Sequence, residues 1–202
     1  MKKFITVAAF AALAALTCTC GDVIIDGDPP PPPVSVSPRA VLQRLEYSFN
    51  DRNIETLKSC LSHNFIFHVD PEEIRRRGGA LPPSTSHDEF WHIARNMFQR
   101  AYSVAMSIDS GKVGTPGPEQ TEYKAENTPI KLLVMLSENG GFLAEGEAGF
   151  EFEKYQNHAG EDRWRIVKWW DGTLPEEGAV DPARPAAGVE RASVAAILAY
   201  FS

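Results

Sequence analysis

His68 and Asp70 stand two residues apart in Phe65-Ile66-Phe67-His68-Val69-Asp70-Pro71, so a strand would carry both on one face, with Asp70 at its end. A carboxylate beside an imidazole steers the ring's tautomer and can make it a general base. The structural alternative is a hydrogen bond or a strand-end turn, which Pro71 favours. His63 and His68 are five apart, as are His87 and His92, whereas a helical zinc pair sits four apart with an acid between, so no metal site is expected. Cys60 lies on the apolar side of a helix and reads as a small core hydrophobe. The glutamates at 145, 147, 151 and 153 alternate strictly with apolar residues, the mark of a solvated strand face rather than of acid/base pairs. His158 falls in a turn and is expected to be solvated. No cofactor-binding pattern is present.

These groups are positioned by a chain of 202 residues with 20 Lys and Arg against 27 Asp and Glu, the profile of one globular domain with appendages. A net charge of -7, with Arg75-Arg76-Arg77 as the one basic run, makes nucleic acid an unfit partner. Three cysteines, two of them at Cys18 and Cys20, draw no disulfide framework.

Met1-Lys2-Lys3 followed by the apolar stretch Phe4 to Leu16 has the layout of an export signal, too short for a spanning helix, which needs about 20 residues. Small residues before a cysteine, then Gly21 and Asp22, resemble the lipobox of bacterial lipoproteins. That resemblance implies acylation at Cys20 or at Cys18, and a lipid anchor in a cell-envelope membrane. Thr precedes both cysteines, and Cys20 gives the more familiar Cys-Gly-Asp start. The expected organisation is a signal at 1–20, a proline-rich linker at 21–37, a folded domain at 38–172, and a linker with a C-terminal helix at 173–202. Pro29 to Pro33 would form a stiff spacer of roughly 15 Å at about 3.1 Å per residue.

Within the domain, Ser37-Pro38 opens a helix with Val41, Leu42, Leu45 and Phe49 on one side, and Asn53 caps a second with Ile54, Leu57, Cys60 and Leu61. A strand at Phe65 to Val69 leads into a long loop, Asp70 to Thr85, with at most a turn at Glu72 to Arg76. Ser86-His87-Asp88-Glu89 is a capping box opening a third helix with Phe90, Ile93, Ala94, Met97 and Phe98 on its stripe. A strand at Tyr102 to Ile108 follows, then a polar segment with a short edge strand at Thr121 to Ala125. Strands at Ile130 to Ser137, Phe142 to Tyr155 and Arg163 to Trp170 complete a meander, with Asn139-Gly140 as its first turn. The last of them, with Trp164, Trp169 and Trp170, is apolar on both faces and calls for two covers, a second subunit or the tail. Val194, Ile197, Leu198 and Phe201 form a tail stripe expected to dock on the sheet.

That order of elements, closing in Trp164-Arg165-Ile166-Val167-Lys168-Trp169-Trp170-Asp171-Gly172, resembles the nuclear-transport-factor-2-like or SnoaL-like cone over about Pro38 to Gly172. The resemblance implies an α+β fold, three N-terminal helices on a strongly curved antiparallel sheet (a cystatin-like cone) with a short C-terminal helix. It implies a pocket inside the cone and often a homodimer through the sheet's outer face. It implies no reaction. In resembling isomerases and dehydratases a Tyr, an Asp and a His project into the cone, and the types on offer here are Tyr47, His68, Tyr102 and Asp109. The catalytic candidates are therefore His68, Asp70 and Tyr102, and the candidate ligand contacts are Tyr47, Phe67, Trp91 and Trp170. Two readings follow: a membrane-tethered, noncatalytic domain binding a small apolar ligand or a partner protein, and, as the alternative, a pocket enzyme doing proton-transfer, dehydration or hydrolysis chemistry.

Overall fold

The computed structural model of the chain describes residues 33–173 and 188–202; the stretch expected to be an export signal, the candidate lipidation sites Cys18 and Cys20, and most of both expected linkers lie outside the described residues. Ser37 accepts the amide of Ala40 at 3.2 Å and Pro38 opens α1 (Pro38–Asn50), which buries Val41, Leu42, Leu45 and Phe49. Asn53 accepts the amide of Thr56 to start α2 (Ile54–Cys60). The helix stops one residue earlier than the apolar spacing predicts, because Leu61 already has extended backbone and begins β1 (Leu61–His68).

The region expected as a loop contains two elements. Asp70 Oδ1 accepts the amide of Glu72 at 2.7 Å, and α3 (Pro71–Arg76) follows with Glu72 and Glu73 in its first turn and Arg75 and Arg76 in its last, complementing the helix dipole. Gly78 and Gly79, at φ +59° and +81°, end it in the left-handed region. β2 (Ser84–Ser86) then pairs with β1. In α4 (His87–Arg100) the Glu89 carboxylate reaches back to the Ser86 amide at 2.9 Å and its hydroxyl at 2.7 Å. β3 (Ser103–Ile108), a single 3-10 turn at Ser110–Lys112, β4 (Glu122–Ser137), β5 (Gly140–Gln156) and β6 (Asp162–Gly172) follow. The tail supplies β7 (Gly188–Arg191) and α5 (Val194–Tyr200).

The strands form one sheet in the order β2-β1-β6-β5-β4-β3, with β7 beside the start of β5. The fold is α+β as expected, and the sheet is mostly antiparallel. Two pairings are parallel, β1 with β6 and β7 with β5. The edge strand anticipated at 121–125 is the first part of β4. It joins the rest through a register shift between Ala125 and Thr128, where Asn127 takes φ +50°.

A second shift decides the fate of the tryptophans. Glu151 pairs with Lys168 but Phe152 pairs with Ile166, leaving Val167 as the extra residue on β6. Side chains alternate along a strand, so one added residue turns Trp169 to the same side as Trp164 and Ile166. All three are 3% exposed or less. The second cover expected for this strand is needed only by Trp170, which stays on the outer face.

Inside, the Trp169 ring lies 5.3 Å from Phe67, 5.8 Å from Phe90 and 5.3 Å from Phe150. α5 completes the filling: Val194, Ala195, Ala196, Ile197, Leu198 and Phe201 are all buried. Its stripe docks on β5 and α4, as a short helix needs in order to exist in water.

The free edge of β3 is covered by side chains of α1. Asn50 donates to the Met106 carbonyl at 3.0 Å and accepts its amide at 2.6 Å, imitating a neighbouring strand, and Glu46 accepts the Ile108 amide at 3.2 Å. Asn50→Ala is expected to lower unfolding free energy by about 1–3 kcal/mol, by stranding both groups. Urea denaturation checks this, and an unchanged midpoint would mean that water serves the edge equally well.

Candidate functional site

His68 points to the outer face of β1, where its ring stacks on Trp170 at 5.4 Å and 10° between planes. Its Nε2 is buried without a hydrogen-bond partner. Burial, followed by the Lys168 ammonium, holds the imidazole below its ordinary pKa, so it is neutral at pH 7. Asp70 turns to cap α3, and no hydrogen bond joins it to His68. Tyr102, 59% exposed at the junction of α4 and β3, belongs to neither group.

Of the aromatic ligand contacts expected, Phe67 is sealed in the core at 1% exposure, and Tyr47 lies half-buried on α1. Trp91 sits on α4 with the Lys58 ammonium 5.2 Å and the Arg95 guanidinium 5.6 Å from its ring. Asp109 precedes the 3-10 turn and donates its amide to the Pro129 carbonyl. Cys60 is buried, donates to the Thr56 carbonyl at 3.3 Å, and has its thiol pushed up to about 12 by burial, which leaves it an inert core group. Among the described residues no three His, Cys, Asp or Glu side chains cluster as metal ligands would.

Trp170 and Asp70 come together at a groove of about 400 Å³ on the outer face, together with Lys124, Glu126, Glu147 and Gly149. The bulge at 126–127 and the end of β6 frame it, with Asn127 and Gly172 on its rim. The Lys124 ammonium lies 5.4 Å from the Trp170 ring and 2.9 Å from Glu126 Oε1. Lys168 mirrors it, 5.6 Å from the ring and 2.9 Å from Glu151 Oε2. Glu147 is exposed. The indole thus has His68 stacked on it and two ammonium groups near its centroid, in a groove lined by both acceptors and donors.

Sequence reasoning missed Lys124, Glu126, Glu147 and Gly149 as site residues. One signal was present: the outward series 145, 147, 151, 153 carries glutamate throughout, and its one interruption at 149 is a glycine. Gly149 pairs with Trp170 across the β5–β6 ladder.

No family model matches the chain, and no curated protein does. Among solved structures, a conserved protein from Planctomyces limnophilus is 14% identical with a TM-score of 0.48, the match covering 65% of this chain and 89% of that one. A nuclear transport factor 2 (NTF2-like) superfamily protein from Salmonella enterica is 16% identical with a TM-score of 0.46, over 68% of this chain and 89% of its own. An NTF2-like protein of unknown function in nutrient uptake from Rhodospirillum rubrum is 10% identical with a TM-score of 0.43, over 66% and 95%. These are likenesses of architecture, and nothing about a ligand or a reaction passes from them to this chain.

Proposed function

We propose that this chain is an exported lipoprotein whose NTF2-like cone domain is a binding module, held at a cell-envelope membrane by acyl chains on Cys20, with its recognition surface on the outside of the sheet. One observation carries the binding half of this reading. The interior where a pocket enzyme of this shape would work is occupied by Trp169, Phe67, Phe90 and Phe150 in mutual contact and closed by α5. The polar aromatic groups that could meet a ligand, His68 and Trp170, face outward instead. A small apolar guest inside the cone would have to displace aromatic side chains that are 1% exposed or less. The groove outside is already formed, and this favours recognition there.

The tether rests on the residues Met1 to Asp22. The full chain made in bacteria fed alkyne-tagged palmitate is expected to carry label in the membrane fraction. Cys20→Ala should remove the label and release the chain, while Cys18→Ala should not. Label that survives replacement of both cysteines, or a wild-type chain that fractionates unlabelled, would overturn the anchor.

A further inference from the structure

We propose that the slot between Trp170, Gly149 and the β4 bulge is a binding site for a neutral sugar ring. This deepens the outer-surface reading above and does not depend on the lipid anchor.

The slot exists because one side chain is absent. His68 is stacked on Trp170 from β1, which holds the indole upright against that neighbour. From β5 the residue paired with Trp170 is Gly149. A Cβ built there would lie 3.4 Å, 3.6 Å and 3.9 Å from three Trp170 carbons, so it would touch the ring, and any longer side chain would fill the space beside it. Glutamates occupy the equivalent outward positions before and after. The glycine has no positive φ to explain it. What it provides is an open place beside the aromatic ring.

The chemistry of the rim selects among ligands. Asp70, Glu126 and Glu147 outnumber the Lys124 ammonium, so phosphates and carboxylates are repelled. A free cation would compete for the indole with Lys124 and Lys168, which already stand 5.4 Å and 5.6 Å from its centroid and are held by Glu126 and Glu151. A neutral polyol is not repelled by the acidic rim, and it can take Lys124 as a hydrogen-bond donor beside the ring rather than compete with it as a second cation. Its C–H face packs on the indole, its hydroxyls donate to the Asp70 and Glu147 carboxylates, and they accept from Lys124 and Asn127. An open groove of about 400 Å³ admits such a ring without closing over it.

The test is saturation-transfer NMR on the full chain in detergent, with maltotetraose and chitotetraose as sugar probes and tetramethylammonium as the cationic probe. Transfer to ring C–H protons of at least one tetrasaccharide is expected. Trp170→Ala and Gly149→Val should each weaken that binding about tenfold or more, while His158→Ala, in an exposed turn, leaves it unchanged. Circular dichroism of each variant confirms that the fold is kept, and Gly149→Ala supplies a milder block should the valine destabilise the sheet. Absence of transfer to either sugar, or transfer indifferent to Trp170→Ala, overturns the proposal. If tetramethylammonium alone responds to Trp170→Ala, the sugar assignment fails and the outer recognition surface stands. If no probe responds, both fall.

Discussion

Trp169→Ala is expected to lower the unfolding free energy by about 3–5 kcal/mol, while Trp170→Ala, one residue on, costs about 1 kcal/mol or less. The two side chains have the same chemistry and adjacent backbones, so only their placement by the Val167 bulge separates them. Trp169 is fully buried against Phe67, Phe90 and Phe150, and its removal leaves a cavity among rigid aromatic neighbours that cannot collapse into it. Its Nε1 is buried with no hydrogen-bond partner, so the indole contributes volume and contact and no directed bond. Trp169→Phe should therefore recover most of the loss, since it keeps an aromatic ring and removes the stranded N–H. Urea denaturation of the three variants reads the comparison directly. Were the cone a wet chamber, Trp169→Ala would merely enlarge it and the two alanine variants would cost about the same. That result would also reopen the interior to the pocket-enzyme alternative.

The contrast between these neighbours shows where sequence reasoning holds and where it stops. Features set within a few residues were legible: the Ser37 and Ser86 helix starts, the α1 and α4 stripes, the alternation through β5 and the docked tail stripe. Features set by a partner strand were not. A bulge on β6 is defined by the register of β5, and nothing in Arg165-Ile166-Val167-Lys168 marks Val167 as the residue to be squeezed out. The parallel alignment of β1 with β6 is likewise a long-range pairing. α3 was hidden for a different reason. Its Asp-Pro-Glu-Glu start is a good local signal, but six residues among prolines and glycines look like loop until Glu73 is seen to anchor it. The groove follows the same division. Trp170 and Asp70 were singled out by type, whereas Gly149 acquires its role only when the ladder sets it beside Trp170.

Asp171 is expected to make the protein less stable as pH rises through about 4 to 6, contrary to the usual behaviour of a paired carboxylate. The side chain is buried at the point where β6 meets the tail. Oδ1 accepts from the Thr173 amide and hydroxyl, and Oδ2 accepts from the Ala195 amide at 2.7 Å. Thr173 Oγ1 in turn accepts the Val194 amide at 2.8 Å, and Ser193 donates to Glu73 at 2.9 Å, so the start of α5 is fastened to β6 and α3 at once. Burial pushes the Asp171 carboxyl up to about 6; the bonds from Thr173 and Ala195 pull it down, and the nearby Glu73 charge adds to the rise. Between its unfolded value near 3.8 and its folded value near 6 the native chain holds a proton that the unfolded chain has released. Stability therefore falls across that window, by about 3 kcal/mol in total, and is flat on either side as far as this group is concerned. Asp171→Asn removes the titration, so the stability difference between wild type and variant, measured by urea midpoints from pH 4 to pH 7, should change by that amount. Parallel profiles would show that Asp171 titrates in the folded chain as it does in the unfolded one. Asp171→Ala strands the buried Thr173 and Ala195 amides together and should cost most at pH 4, about 3–5 kcal/mol, with the cost shrinking toward pH 7 as the wild type loses the stability of its protonated carboxyl. The seating of α5 on β6 thus depends on a carboxyl whose charge burial disfavours, held in place by the Thr173 and Ala195 amides that donate to it.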